Sequence, residues 1–213
     1  LNYLIIIIID MIKCNVTACG IISNSAVEKQ NKEGHSFISF TITIPIAGSD
    51  GSGAELQVFV SAPGNKDTVE QYSTGRRVKI SGTLYIRRID DRTYYNLRTD
   101  DEIEIVKSTD EDSLKGSIDF KGKIKGEITE RTNKHGNKFQ TFSGVSQDKD
   151  GEKRGWLWVR FLVPKPIQQD FFKPDAYVEV KGELLFHIYQ GNVNIECRTS
   201  SVEPWEFTST HTE

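Results

Sequence analysis

Apolar and polar residues alternate along much of the chain, which is the pattern of half-buried β-strands. The alternation is clearest in His35–Ile46, where Ile38, Phe40, Ile42 and Ile44 share one face. Successive side chains of a strand point to opposite sides of the sheet, so this face is predicted to lie against a core. The polar residues between them are predicted to face outward.

The rest of the first half of the chain shows the same pattern, interrupted by polar and glycine-containing turns. Strands are predicted at Lys13–Ser23, His35–Ile46, Glu55–Ser61, Arg77–Arg88 and Thr93–Val106, with a short helix at Asn65–Ser73. Five strands with a short helix between the third and the fourth are the element order of an OB fold, a small five-stranded barrel.

Two motifs of the first half recur in the second half in the same order. The pattern E-x-x-N-K-x-G-x-x-F-x-x-F begins at Glu28 and again at Glu130, 102 residues later. The pattern V-x-(I/V)-x-G-x-L begins at Val78 and again at Val178. Its glycines, Gly82 and Gly182, are typical of a strand that bends sharply at the corner of a small barrel. The chain is therefore interpreted as a duplication.

The predicted fold class is all-β: two tandem OB-fold five-stranded barrels, each with its own sheet and with one short helix between strands 3 and 4. The predicted division is an apolar N-terminal extension (1–10), a first OB-fold domain (11–107), a linker (108–116), a second OB-fold domain (117–207) and a C-terminal tail (208–213). Residues predicted to face a core are Ile38, Phe40, Ile42, Leu56, Val58, Ile80, Leu157, Val159, Phe161 and Val180.

Several segments resemble the bacterial single-stranded DNA-binding protein family, in its variant with two OB domains per chain. Val78–Arg88 resembles the family's fourth strand, V-x-V-x-G-x-L-x-x-R, and Trp156–Val159 resembles its third strand. The entries to the second strand, G-x-x-F at Gly34 and at Gly136, are also similar. The resemblance implies single-stranded DNA as the partner and a homodimer that supplies four OB domains. The family's acidic tail tip is not found, so recruitment of repair proteins through it is not expected.

Single-strand binders need aromatic faces on which bases stack and cations that contact phosphates. By parity Trp156 and Trp158 point outward from the predicted strand 156–163, and so does Arg160. The candidate stacking residues are Trp156, Trp158, Phe139, Phe37, Phe59, Tyr85 and Tyr94. The candidate phosphate-binding residues are Arg160, Lys121, Lys123, Lys125, Lys138, Lys153, Arg154, Arg87, Arg88 and Arg92.

Overall charge gives little support to a polyanion-binding function. The chain of 213 residues has a formal net charge of −3. Residues 1–112 contain 12 Lys+Arg and 16 Asp+Glu (−4), whereas residues 113–213 contain 15 and 14 (+1). The second half is therefore the better electrostatic match to nucleic acid, and nucleic-acid binding must depend on local patches.

The predicted function is non-enzymatic, largely sequence-independent binding of single-stranded DNA in replication, recombination or repair, for a host or a mobile element. The alternatives are an RNA-binding OB protein and a protein-interaction module whose Trp156/Trp158 face docks a partner. No cofactor, metal site or catalytic residue is predicted, because His35, His135, His187 and His211 are scattered. The three cysteines are predicted to be reduced thiols. No membrane association is expected, and the predicted location is cytoplasmic and nucleoid-associated.

Overall fold

A computed structural model describes residues 12–48, 51–89, 92–150 and 153–206, with the backbone alone for 148–150, 153 and 154. The predicted extension 1–10, the tail 208–213 and the side chains of Lys153 and Arg154 lie outside the described part of the chain. The described residues are nearly all in strands, as the alternation predicts.

Eleven strands and one short helix make up the described chain. The first half contains β1 (Ile12–Gln30), β2 (Ser36–Ala47), β3 (Gly53–Pro63), α1 (Lys66–Val69), β4 (Arg77–Ile89), β5 (Arg92–Arg98) and the two-residue strand β6 (Glu104–Ile105). The second half contains β7 (Ser113–Thr132), β8 (Lys138–Asp150), β9 (Lys153–Val163), β10 (Tyr177–Tyr189) and β11 (Asn192–Pro204). The last predicted strand of the first half, Thr93–Val106, is thus divided between β5 and β6.

The predicted helix forms in the first half only. Asn65 caps α1, its side chain accepting a hydrogen bond from the Asp67 backbone N–H, and a 3-10 turn continues the helix over Glu70–Tyr72. The prediction of a helix in the second half is wrong, because the fully described segment 164–176 between β9 and β10 is irregular. By strand register Pro166 takes the place of Asn65, so the second half has no side-chain oxygen to cap a helix there.

Strand pairing closes on itself in each half of the chain. In the first half the order is β1-β2-β3-β5-β4, and β4 pairs back with β1. In the second half the order is β7-β8-β9-β11-β10, and β10 pairs back with β7. In both circuits the pair formed by the third and the fourth strand of that order, β3 with β5 and β9 with β11, is parallel and the other pairs are antiparallel.

The repeat predicted a separate sheet for each half of the chain, and this prediction is wrong because the two circuits are joined. β1 pairs antiparallel with β7, from Ile12 opposite Phe120 to Cys19 opposite Ser113, so all eleven strands belong to one sheet. β7 therefore begins inside the segment 108–116 expected to be a linker. Gly116 permits this contact, because a Cβ there would lie 2.0 Å from the carbonyl oxygen of Asn15.

The repeated motif N-K-x-G forms the same turn in both halves. Asn31 Oδ1 accepts hydrogen bonds of 3.0 and 2.9 Å from two backbone N–H groups of its turn, and Asn133 Oδ1 accepts bonds of 2.9 and 3.0 Å. Gly34 and Gly136 follow with φ of +84° and +81°, a conformation that favours glycine. The conserved spacing of the motif thus corresponds to one hairpin geometry used twice.

The second repeated motif places a glycine where two strands approach closely. A Cβ on Gly82 would lie 2.2 Å from the carbonyl oxygen of Arg98, and a Cβ on Gly182 would lie 2.2 Å from that of Arg198. The two glycines are 100 positions apart in the sequence, as are the two arginines and the two copies of this motif. No other residue fits there without moving the backbone.

The core lies inside the two circuits. All ten residues predicted to face it are buried, none more than 4% exposed. Trp156 and Trp158, by contrast, are 52% and 55% exposed, between the buried neighbours Leu157 and Val159. The predicted register of β9 is therefore confirmed.

Candidate nucleic-acid interface

A groove of about 860 Å³ lies between the two halves of the chain. Its walls come from β3, from the hairpin of β4 and β5, from β9 and from the hairpin of β10 and β11. Five of the residues predicted to bind nucleic acid line it: Phe59, Tyr94, Trp158, Arg88 and Arg92. Polar side chains, among them Gln57, Asn192 and Asn194, complete the lining. The fold thus brings together candidates that lie up to 99 positions apart in the sequence.

The aromatic residues reach the groove because of strand parity. Phe59 lies between the buried Val58 and Val60 on β3, so its ring points outward. Its centroid is 6.3 Å from that of Tyr94, with an angle of 36° between the rings. Trp158 faces the same space from β9 in the other half. Three aromatic side chains from both halves therefore border one cleft.

Two arginines give the groove positive charge at one wall. Arg88 and Arg92 are exposed and lie on the two strands of the β4–β5 hairpin. Glu55 is the acidic residue among the lining side chains. A charged phosphate at this hairpin would meet two guanidinium groups, which can each make paired hydrogen bonds to phosphate oxygens.

Contacts between the halves hold the groove walls in place. Tyr95 of β5 and Phe186 of β10 meet edge to face, with centroids 5.9 Å apart. The backbone of Gly155 on β9 passes close to the carbonyl oxygen of Arg88. The groove is therefore a feature of the two halves packed together and not of either one alone.

Trp156 and Tyr189 are exposed aromatic residues that do not line the groove. Trp156 lies opposite Gln147 of β8, and its ring is about half exposed. Tyr189 ends β10 and is 63% exposed, beside a tight turn in which Gln190 and Gly191 both have positive φ. Tyr189 is not among the residues predicted to contact nucleic acid. A two-residue Gln-Gly turn between alternating segments is a hairpin signal that could have placed this tyrosine at an exposed tip.

The remaining candidates of the first half are more enclosed. The guanidinium carbon of Arg98 lies 5.2 Å from the centroid of Tyr85, so the cation covers a ring predicted to stack on bases. Arg87 pairs with Tyr94 across the hairpin and is half-buried. Phe37 is half-buried opposite Pro63. These residues do not line the groove.

The lysines of β7 are paired with carboxylates. Lys121 Nζ lies 3.7 Å from Glu179, while Lys123 and Lys125 lie 2.9 and 3.2 Å from Asp175. Hydrogen bonds from the two lysines lower the pKa of Asp175, and the bond to Asp175 raises the pKa of Lys123. These three lysines, here called the lysine stripe, lie outside the groove and two strands away from Trp158.

Three other predicted residues of the second half are also separate from the groove. Lys138 Nζ lies 2.7 Å from Glu130, a contact that raises the pKa of Lys138. Phe139 is half-buried on β8, six positions from Val145, which faces Trp158; that separation is roughly 20 Å along a strand. Arg160 Nε lies 3.6 Å from Glu196 on the outer face.

The described residues contain no group of three or more His, Cys, Asp or Glu side chains placed to hold a metal ion. None of the helical segments in the described ranges has the length and apolar character needed to cross a membrane. Cys14, Cys19 and Cys197 are buried free thiols. Burial raises the pKa of Cys14 and of Cys197 to about 12, so neither thiol is positioned as a nucleophile.

No family model and no curated protein matches the sequence. Among solved structures, the wild-type single-stranded DNA binding protein from Thermus aquaticus aligns over 94% of this chain and 96% of that chain, with 11% identity and a TM-score of 0.48. A deletion mutant of that protein covers 93% and 98%, with 12% identity and a TM-score of 0.48. A murine DNA binding protein bound with double-stranded DNA covers 91% and 98%, with 10% identity and a TM-score of 0.29. At these sequence identities and TM-scores the similarity carries no functional assignment, which therefore rests on the residues of this chain.

Proposed function

We propose that the chain is a non-enzymatic, largely sequence-independent binder of single-stranded DNA, which it holds in the groove between its two halves. The observation that carries the proposal is the convergence of Phe59, Tyr94 and Trp158 beside Arg88 and Arg92. We also propose that each closed strand circuit is an OB barrel, because five strands closing on themselves match that fold.

Base stacking explains why the ligand would be single-stranded. Each base stacked on an aromatic side chain contributes about 1–3 kcal/mol, whatever the base, because every base has a π-face. A base in a duplex has both faces covered by its neighbours, so it must be unstacked before it can contact Trp158 or Phe59. The proposed binding is therefore tolerant of sequence and selective for unpaired strands.

The arginines supply the contacts that stacking cannot. Arg88 and Arg92 line the same groove as the aromatic residues, so a strand can place its bases on those rings and its phosphates toward the hairpin. The association of two chains into a homodimer, and a role in replication, recombination or repair, remain expectations that come from the resemblance of the sequence motifs.

Tryptophan fluorescence tests the proposal directly, because the chain has three tryptophans and only Trp158 lines the groove. We expect a variant that retains Trp158 alone (Trp156→Phe, Trp205→Phe) to be strongly quenched by an oligo-dT of about six nucleotides, a length within the range of one OB fold. The matched control retains Trp205 alone (Trp156→Phe, Trp158→Phe) and should not respond to this short strand.

The same titration separates the rival functions. A folded Trp158-only variant whose fluorescence and mobility do not change with oligo-dT or oligo-rU would overturn the proposal and leave the exposed tryptophan face for a protein partner. Tighter binding of oligo-rU than of oligo-dU would make RNA the ligand, since those two strands differ only in the 2′-hydroxyl.

A further inference from the structure

A second aromatic and basic cluster lies on the outer face of the second half. The rings of Tyr177 and Trp205 meet edge to face with centroids 6.0 Å apart, and the Trp205 backbone N–H donates a hydrogen bond to the Tyr177 carbonyl oxygen. Lys123 Nζ lies 5.8 Å from the centroid of Tyr177, whose side chain is 41% exposed. The groove does not include any of these residues.

Strand register connects this cluster to the groove. Trp158 lies directly opposite Val145, Val145 opposite Lys123, and Lys123 opposite Tyr177, in three successive antiparallel pairs. Residues directly opposite each other in antiparallel strands project to the same face. The four side chains therefore form one row across β9, β8, β7 and β10, with Trp158 and Tyr177 at its ends.

The row is short enough for one strand of nucleic acid to follow. Neighbouring strands are about 4.8 Å apart, so three steps separate Trp158 from Tyr177 by about 14 Å along the sheet. Val145 is 5% exposed although it projects outward and does not belong to the main core. Between the two aromatic positions, Lys123 is therefore the residue of the row that contributes accessible surface.

The ion pairs of the lysine stripe do not prevent a phosphate contact. Asp175 is well exposed, with 65% of its side chain accessible, and it is shared by Lys123 and Lys125. Exposed ion pairs contribute little to stability, so a phosphate group can replace the carboxylate at modest cost. Lys121 and Lys125 lie on either side of Lys123 on the same face of β7 and widen the positive region.

We propose that Tyr177, Trp205 and Lys123 form a second contact site for the same single strand, which the strand reaches only when it extends beyond Trp158. The site stacks one or two further bases on Tyr177 and Trp205 and places a phosphate at Lys123. This inference rests on the proposed function. It adds a length threshold, the minimum length of single strand that occupies the second site as well as the groove.

The test uses the full chain and oligo-dT of increasing length. The Trp205-only variant should remain unquenched with about six nucleotides and become quenched with about sixteen, the upper end of the range for one OB fold. Tyr177→Ala should weaken binding of the long oligonucleotide about tenfold, the loss of one stacked base, and leave binding of the short one unchanged.

A charge variant keeps the test valid if Tyr177→Ala is poorly folded. Lys123→Gln should lower the slope of log affinity against log salt by about 0.7 for the long oligonucleotide only, the value for one phosphate contact on a single strand. Lys79→Gln, on the exposed face of β4 in the first half, is the matched control and should change neither slope. Thermal unfolding of each variant establishes that it is folded.

The outcomes for the two proposals differ. If Trp158→Ala does not weaken binding of the short oligonucleotide, the proposed function and this inference are both overturned. If Trp158→Ala weakens short-strand binding but Tyr177→Ala and Lys123→Gln leave the long strand unaffected, only the second contact site is refuted. Equal quenching of the Trp205-only variant by short and long strands would also refute the length threshold.

Discussion

The backbone of Gly155 approaches Arg88 so closely that a Cβ on Gly155 would lie 2.3 Å from the Arg88 carbonyl oxygen. Gly155 belongs to β9 of the second half, and Arg88 belongs to the β4–β5 hairpin of the first half. Arg88 itself lines the groove, and so do Trp158 of β9 and Arg92 of the same hairpin. The width of the groove therefore depends on a glycine at a position where the two halves touch.

Gly155→Ala is expected to separate the hairpin from β9, because the obstructing atom is backbone and cannot rotate away. We expect a loss of about 1–3 kcal/mol in the free energy of unfolding, typical of overpacking, and weaker binding of short oligo-dT. Urea unfolding and a fluorescence titration measure the two effects. Gly53→Ala is the control, since the nearest atom to its Cβ would be 4.0 Å away; equal effects of both substitutions would contradict the explanation.

Gly82→Ala and Gly182→Ala should each destabilise the chain. Each new Cβ would lie 2.2 Å from a backbone carbonyl oxygen, that of Arg98 or that of Arg198. The shared backbone contact predicts a cost of about 1–3 kcal/mol or more for each, with the larger cost at Gly182, whose Cβ would also lie 2.6 Å from Cys197 Sγ. Denaturant unfolding of the two single variants checks this. A neutral result for one of them would show that the two halves do not use the motif in the same way.

Local patterns in the sequence were sufficient for the strands, the core and the outward direction of Trp158. Each of these depends on alternation, and a one-residue shift of register would have exposed Leu157, Val159 and Phe161 together. The repeat likewise predicted the shared turn at Asn31 and Asn133, because a short motif determines a short hairpin.

The groove could not be predicted, because it depends on contacts between residues far apart in the sequence. The pairing of β1 with β7 and the contact of Tyr95 with Phe186 bring Phe59 and Trp158 to one cleft, and no motif specifies either contact. The carboxylate partners of the lysine stripe were missed for the same reason, since Asp175 follows Lys123 by 52 positions. The second helix was predicted by analogy between the halves, although Pro166 stands where the first half has the capping residue Asn65.

Stability should fall at alkaline pH. Burial raises the pKa of Cys14 and Cys197 to about 12 from 9.0, and that of Tyr95 to about 12 from 10.0. A raised folded-state pKa means that the folded chain retains the proton more strongly than the unfolded chain does. The stabilising contribution of these protonated groups is therefore complete below pH 9.0 and is lost as the pH rises toward 12. We expect the free energy of unfolding to drop by at least about 1 kcal/mol between pH 8 and pH 10.5.

Urea unfolding across this range measures the loss, and Tyr95→Phe isolates one contribution to it. The variant keeps the ring that packs on Phe186 but has no ionisable hydroxyl. Its stability should decline less steeply than that of the parent above pH 10. An unchanged free energy of unfolding from pH 8 to pH 11 in the parent chain would contradict the assignment of these groups to the folded interior.

Arg92 and Lys138 provide a matched comparison of two predicted phosphate contacts. Arg92 is exposed and lines the groove, whereas Lys138 of β8 is held 2.7 Å from Glu130 of β7, well away from Trp158. For a short oligo-dT we expect Arg92→Gln to lower the slope of log affinity against log salt by about 0.7, as one phosphate contact is lost. Quenching at saturation should be unchanged, because stacking is not affected. Lys138→Gln should leave both the slope and the quenching as they are. A larger change of slope for Lys138→Gln than for Arg92→Gln would place the nucleic acid on the outer face of β8 and not in the groove.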